Sequence, residues 1–184
     1  MKPARRVVAV RHGATAWTEQ RRWCGWSDPP LTASGEDQGS ALGNVMARLL
    51  DGRQPDSITS SDLERARRTT VLICEVTDPG RRWPAAQTDE RLRELDFGDL
   101  EGRTWNELDP DLQAQLLDPA RFVAPNGESV TSMVTRVTSF VRSLPPGCHL
   151  VVTHGGPARE LGRMIGAAVE LAPAGAVELD LTDI

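Results

Sequence analysis

Disulfides, membrane spans and a basic surplus are all missing from this chain of 184 residues, and each absence narrows what it can be. Its three cysteines, Cys24, Cys74 and Cys148, are odd in number, far apart and form no CxxC pair, which excludes a disulfide scaffold or a zinc ribbon. Cys74 and Cys148 sit in apolar stretches and read as small core residues. No apolar run approaches the ~20 residues of a membrane span, and the segment before Val7 is too short and polar for a signal peptide. The net charge of −5 excludes a general nucleic-acid binder, because affinity for a phosphate backbone needs a basic surface. Lys2 is the only lysine among 21 basic residues, so an individual arginine means little outside a motif. Repeats and low-complexity tracts are absent as well. The expectation is one cytoplasmic domain over residues 1–184, large enough to bury its own core, with neither nucleic acid nor membrane as partner.

What is present begins with Arg11-His12-Gly13, placed directly after the apolar run Val7-Val8-Ala9-Val10. A β-branched run of this length reads as a buried strand, and Gly13 as the turn that follows it. The carboxyl ends of strands are where open α/β sheets bind ligands. Thr32 reads as the N-cap of a helix to about Leu50, followed by a strand over 56–60 and a helix over 62–75 with Asp62 as its cap. A short strand is predicted over 85–89. The stretch 103–122 reads as helix broken by Pro110 and Pro119, and with its flanks forms a small cap insertion around 100–128. Pro125-Asn126-Gly127-Glu128-Ser129 ends that insertion. A helix over 128–144 presents Val130, Met133, Val134, Val137, Phe140 and Val141 inward. A strand over 148–153, a helix opening near Pro157 and a final edge strand over 176–181 complete the pattern. Strands alternating with helices predict an α/β three-layer sandwich.

Three further segments supply the rest of a site: Ser60-Ser61-Asp62-Leu63-Glu64-Arg65-Ala66, Leu92-Arg93-Glu94-Leu95-Asp96-Phe97-Gly98, and Val151-Val152-Thr153-His154-Gly155-Gly156. With the first tripeptide, in this order and spacing from about Val7 to about Arg163, they resemble the histidine phosphatase superfamily, the phosphoglycerate mutase-like proteins. The resemblance implies a three-layer α/β/α fold of the phosphoglycerate mutase type. It also implies hydrolysis of a small phosphorylated metabolite through a phosphohistidine, with no metal and no cofactor. By the same resemblance His12 is the nucleophile, and Arg11, Arg65 and His154 surround the phosphoryl group. Glu94 is the general acid and base. The chemistry suits these side chains: a neutral imidazole attacks phosphorus, and guanidinium forks match phosphate oxygens. A hydrogen bond from the other ring nitrogen of His12 to a carbonyl would fix the reactive tautomer. Thr15, Thr18 and the backbone from Gly155 onward are further phosphate-binding candidates, and His154 is expected to act as a protonated imidazole.

Substrate choice is assigned to the loop 14–30 and the cap 103–126. Trp17 and Trp26 are candidates for the pocket mouth, and Arg22, Arg103 and Arg121 for contact with the leaving group. His149 matches no motif and reads as structural. Where many relatives carry asparagine this chain has Thr18, and Cys24-Gly25-Trp26 is similar to the mutase branch. Phe97-Gly98-Asp99-Leu100-Glu101-Gly102 is similar to the phosphatase branch, and the short 103–126 region also favours a phosphatase. A phosphoglycerate-type mutase and a non-catalytic phosphoester-binding module remain as alternatives. Relatives are commonly dimers, so a homodimer is an expectation too.

Overall fold

The structure is a computed structural model and describes residues 4–80, 82–118 and 122–184. Its sheet runs in the order β3-β2-β4-β1-β5, with β1 (Arg5–Arg11), β2 (Ser57–Ser60), β3 (Gln87–Thr88), β4 (Gly147–Thr153) and β5 (Ala176–Asp180). The first four are mutually parallel, and β5 pairs antiparallel with β1 at the sheet's edge. Six α-helices are described: α1 (Ala16–Glu19), α2 (Ala33–Leu49), α3 (Glu64–Thr77), α4 (Pro110–Leu116), α5 (Val130–Ser143) and α6 (Gly155–Met164).

The alternation of side chains along the central strands makes the layers. Val8 and Val10 of β1 join Leu150 and Val152 of β4, Met46 of α2 and Ile73 of α3 in one core. Val7, Ala9 and Val151 point the other way, into a core with Val137, Phe140 and Val141 of α5 and Leu161 of α6. Two helices cover each face, which is the predicted three-layer α/β/α sandwich. Among the described residues no helix is long and apolar enough to cross a membrane.

Most predicted boundaries fall within two residues of the observed ones. Thr32 caps α2 by accepting a hydrogen bond from the Gly35 amide at 3.1 Å. Met133, Val137, Phe140 and Val141 are buried, with Val130 and Val134 partly so. Two expectations need correction. Asp62 does not cap α3; its carboxylate accepts from Arg93 Nε at 2.8 Å, and the cap comes from Asp28, whose carboxylate takes the Glu64 amide from across the fold. A non-local cap has no local sequence signature. Pro110 does not break a helix but opens α4 with Asp109 as its N-cap, the first turn being where proline's missing N–H costs nothing. Pro119 lies outside the described residues.

His149 is structural as read. It is buried, and its ring nitrogens lie 2.8 Å from Ser57 Oγ and 2.9 Å from the Pro145 carbonyl. The three cysteines are free thiols, half-buried rather than core, with Cys74 and Cys148 at the margin of the α2–α3 core. Leu150, fully buried in β4, tests that core: Leu150→Ala is expected to cost about 3 kcal/mol in urea denaturation through lost transfer energy plus a cavity.

Candidate active site

Parallel strands that stop at the same level bring their next residues together. Arg11 of β1 is in register with Thr153 of β4, so His12 and His154 leave the sheet side by side, their ring centroids 5.0 Å apart. The His12 amide donates to the Thr153 carbonyl at 3.0 Å, and the Ser61 amide after β2 donates to the Val152 carbonyl at 2.9 Å. Gly13 follows as required, though for contact rather than for a left-handed φ. A Cβ on Gly13 would overlap the Gly35 carbonyl of α2.

His12 is buried, and its Nδ1 lies 2.7 Å from the Gly13 carbonyl, which can only accept. Nδ1 therefore carries the proton, and the Nε2 lone pair receives the Arg65 Nε–H at 3.3 Å. Burial, then the charges of Arg65 and Arg11, hold the imidazole well below its usual pKa, so it is neutral. His154 is fully buried and neutral for the same reasons, burial first and Arg65 second. The expected protonated imidazole is thus corrected: burial first, and then the neighbouring guanidiniums, oppose its proton. His154 Nε2 meets Ser61 Oγ at 2.9 Å, while its Nδ1 has no hydrogen-bond partner among the described residues.

Arg65 has no exposed surface. Its guanidinium donates to the Gly25 carbonyl at 2.6 Å, the Ser27 carbonyl at 2.8 Å and Asp28 Oδ1 at 2.9 Å, besides His12. Arg11 donates through Nη1 to the Leu171 carbonyl at 2.8 Å, and its buried Nε has no hydrogen-bond partner among the described residues. Burial lowers the Arg11 guanidinium from its usual value, and Glu94 opposes that shift. The carboxylate of Glu94 accepts the Gly156 amide at 3.0 Å and the Leu95 amide at 3.0 Å. A Cβ on Gly156 would stand where Glu94 Oε1 now lies and would push the carboxylate aside. The Gly156 amide is therefore taken by Glu94, whereas Gly155 faces both Arg11 and Glu94.

The two threonine candidates serve each other. The Thr15 amide donates to Thr18 Oγ1 at 2.8 Å, the Thr18 amide donates to Thr15 Oγ1 at 3.2 Å, and the Thr18 hydroxyl donates back to the Thr15 carbonyl at 2.9 Å. Thr18 reaches the cavity wall; Thr15 does not.

One cavity of about 960 Å³ holds Arg11, His12, Glu94, Gly155 and Gly156 on its wall. Trp23, Phe97, Trp105 and Phe122 supply aromatic surface, and Leu116, Val130, Met133 and Val134 aliphatic surface. Trp17 and Trp26 do not line it, whereas Trp23 and Trp105 do. Trp26 instead donates Nε1–H to the Glu94 carbonyl at 2.9 Å, with the Arg93 guanidinium over its ring at 4.7 Å. Arg22 is on the wall but donates to the Gly102 carbonyl at 2.6 Å; Arg103 is exposed and off the wall, and Arg121 lies outside the described residues. Arg159 and Arg163 of α6 are wall residues with no motif to announce them. Cys24 also lines the cavity, and burial pushes its thiol up to about 11, so it stays protonated at neutral pH. Among the described residues no three His, Cys, Asp or Glu side chains gather as a metal-holding group.

The buried neutral histidines generate a pH prediction. Both have folded pKa values well below the 6.5 of a free imidazole, so below that pH the unfolded chain binds more protons than the folded one. Each should subtract at most about 1.4 kcal/mol of stability per pH unit as pH falls below 6.5, until its folded pKa is reached. Urea midpoints at pH 7.5 and 5.5 check this, with a shallower loss expected for His154→Gln.

Comparison with known proteins agrees with this arrangement. The family model for the histidine phosphatase superfamily (branch 1) matches residues 7–183. The Citrobacter koseri protein named "Probable phosphoglycerate mutase GpmB" is 40% identical over 162 residues, covering 81% of this chain and 69% of its own. Among solved structures, the phosphoglycerate mutase from Thermus thermophilus superposes with a TM-score of 0.82 at 35% identity, over 96% of this chain and 94% of that one. The Escherichia coli "putative alpha-ribazole-5'-P phosphatase" gives 0.80 at 29% identity, over 97% and 91%. With a matching family model over nearly its whole length and the five motif side chains gathered at one sheet edge, this chain belongs to the histidine phosphatase superfamily.

Proposed function

We propose that this member hydrolyses phosphomonoesters without a metal, through a phosphohistidine on His12, and that it favours a bulky apolar leaving group. The observation that carries the reading is the His12 imidazole, neutral and held in the Nδ1–H tautomer, on the wall of the same cavity as the Glu94 carboxyl and a broad aromatic surface. The Nε2 lone pair forms a bond to phosphorus while the ester P–O bond breaks, and protonated Glu94 gives its proton to the departing oxygen. Water then attacks the phosphohistidine, Glu94 takes its proton, and the N–P electron pair returns to Nε2. The unpartnered Arg11 Nε and His154 Nδ1 are donor positions for phosphoryl oxygens, and Arg65 Nε–H moves from the His12 lone pair to the phosphate as attack begins. A bound dianion also favours a proton on His154, against the burial and guanidiniums that oppose it.

A volume of about 960 Å³ with a mostly apolar wall suits a leaving group larger than glycerate. A phosphoglycerate-type mutase is the second reading. It is favoured by the names of the relatives and by Arg21 on the wall as a guanidinium for a carboxylate, Arg22, Arg159 and Arg163 there being paired with Glu107, Glu170 and Glu160. A non-catalytic phosphoester-binding module has no use for the tautomer lock on His12 or for Glu94.

Phosphate release in EDTA from aryl and alkyl phosphates, and from 3-phosphoglycerate with and without a bisphosphate primer, separates the three. Free phosphate, fastest from the apolar esters and abolished in His12→Ala, is the expected outcome, and Glu94→Gln should lose about 100-fold as a general acid does. Primed isomerisation of phosphoglycerate without release would establish the mutase. Saturable phosphate binding with no labelled phosphohistidine would leave the binding module.

A further inference from the structure

The segment Pro125-Asn126-Gly127-Glu128-Ser129 and one arginine of α5 have no part in the chemistry above, yet they converge on the backbone that carries Glu94. Arg136 is 16% exposed. Its Nη1 donates to the Arg91 carbonyl at 2.9 Å and the Arg93 carbonyl at 2.5 Å, and its Nη2 to the Glu94 carbonyl at 2.8 Å. One guanidinium therefore holds three carbonyls within four residues. Glu128, 14% exposed, balances the charge, receiving Arg136 Nε at 2.8 Å and Nη2 at 2.8 Å as a two-point fork.

The turn before α5 fastens to the far side of the same segment. The Glu128 amide donates to the Asp96 carbonyl at 2.9 Å, the Asp99 amide to the Pro125 carbonyl at 2.9 Å, and the Asn126 amide group to Asp99 Oδ2 at 2.9 Å. Between these anchors, residues 93–97 form neither helix nor strand. The position of the Glu94 carboxyl thus depends on tethers to its own backbone more than on secondary structure.

We propose that Arg136, charge-balanced by Glu128, is a positioning residue that sets the Glu94 carboxyl at the leaving-group oxygen. This rests on Glu94 acting as the general acid. Lysine cannot replace it, since an ammonium lacks the planar fork that reaches three carbonyls and a carboxylate together. A misplaced acid harms leaving groups that need a proton and spares those that leave as stable anions. That selectivity separates positioning from plain destabilisation.

The test compares wild type, Arg136→Lys, Arg136→Met and Glu94→Gln, with exposed Arg142→Met on the same helix as control. Each is checked for a cooperative thermal transition. The rate constant kcat/KM, which reports the step that forms phosphohistidine, is measured for an alkyl phosphate and for p-nitrophenyl phosphate. In both Arg136 variants the alkyl ester should lose about 30-fold and p-nitrophenyl phosphate less than about threefold, the selectivity expected of Glu94→Gln. Hydrogen exchange at the Gly156 and Leu95 amides, which the Glu94 carboxylate accepts, should speed up in the same variants and not in Arg142→Met. Equal losses on both esters with unchanged exchange at these amides would overturn the proposal, and Arg136→Lys decides it if Arg136→Met does not fold. If wild type releases no phosphate from either ester, the hydrolase reading fails, and faster exchange in the variants still supports the positioning role while unchanged exchange removes it.

Discussion

A guanidinium with no exposed surface has to be charge-balanced and hydrogen-bonded, or the fold that buries it pays several kcal/mol. Arg65 imposes that condition on this molecule. Asp28 supplies the charge, the Gly25 and Ser27 carbonyls take further donors, and His12 takes the Nε–H. The loop 25–28 is therefore fixed against the start of α3, which Asp28 also caps. Glu101 ties the same loop to the segment carrying Glu94 by accepting the Trp26 and Ser27 amides at 2.7 and 2.6 Å. One buried cation thus connects the carboxyl edge of the sheet at His12 to the loop beside it and, through that loop, to the segment carrying Glu94.

The same cation adds to what burial does to the two imidazoles beside it. Burial, with Arg65 second, keeps His12 and His154 neutral, so the positive charge beside them is carried by arginine. In the reaction proposed above, a phosphate dianion meets fixed donors without having to displace a proton from His12 Nε2. Preorganisation of this kind is where phosphoryl-transfer sites derive most of their effect.

Much of this was legible before any coordinates. The β-branched runs ending in His12 and His154, the Thr32 cap and the inward stripe of α5 are local patterns, and local sterics and periodicity decide them. Arg136 was legible in hindsight, as a charged residue on the flank of that stripe, three positions after Met133 and four before Phe140. Asp28 as the cap of α3, the pairing of Asp62 with Arg93, and Trp23 and Trp105 in place of Trp17 and Trp26 on the cavity wall were not. Each joins residues far apart along the chain whose meeting depends on how the loops cross the sheet edge.

The order of strands and helices, the two faces of the sheet and the membership of the motif set follow from residue types and spacings, because periodicity and turn chemistry act over a few residues. Which hydroxyls and amides remain free for a ligand is a tertiary matter. The Thr18 hydroxyl and both threonine amides are spent within the Thr15–Thr18 pair, the Gly156 amide is taken by Glu94, and His154 loses its proton to desolvation. All of these depend on distances across the fold, and no local pattern along the chain encodes them.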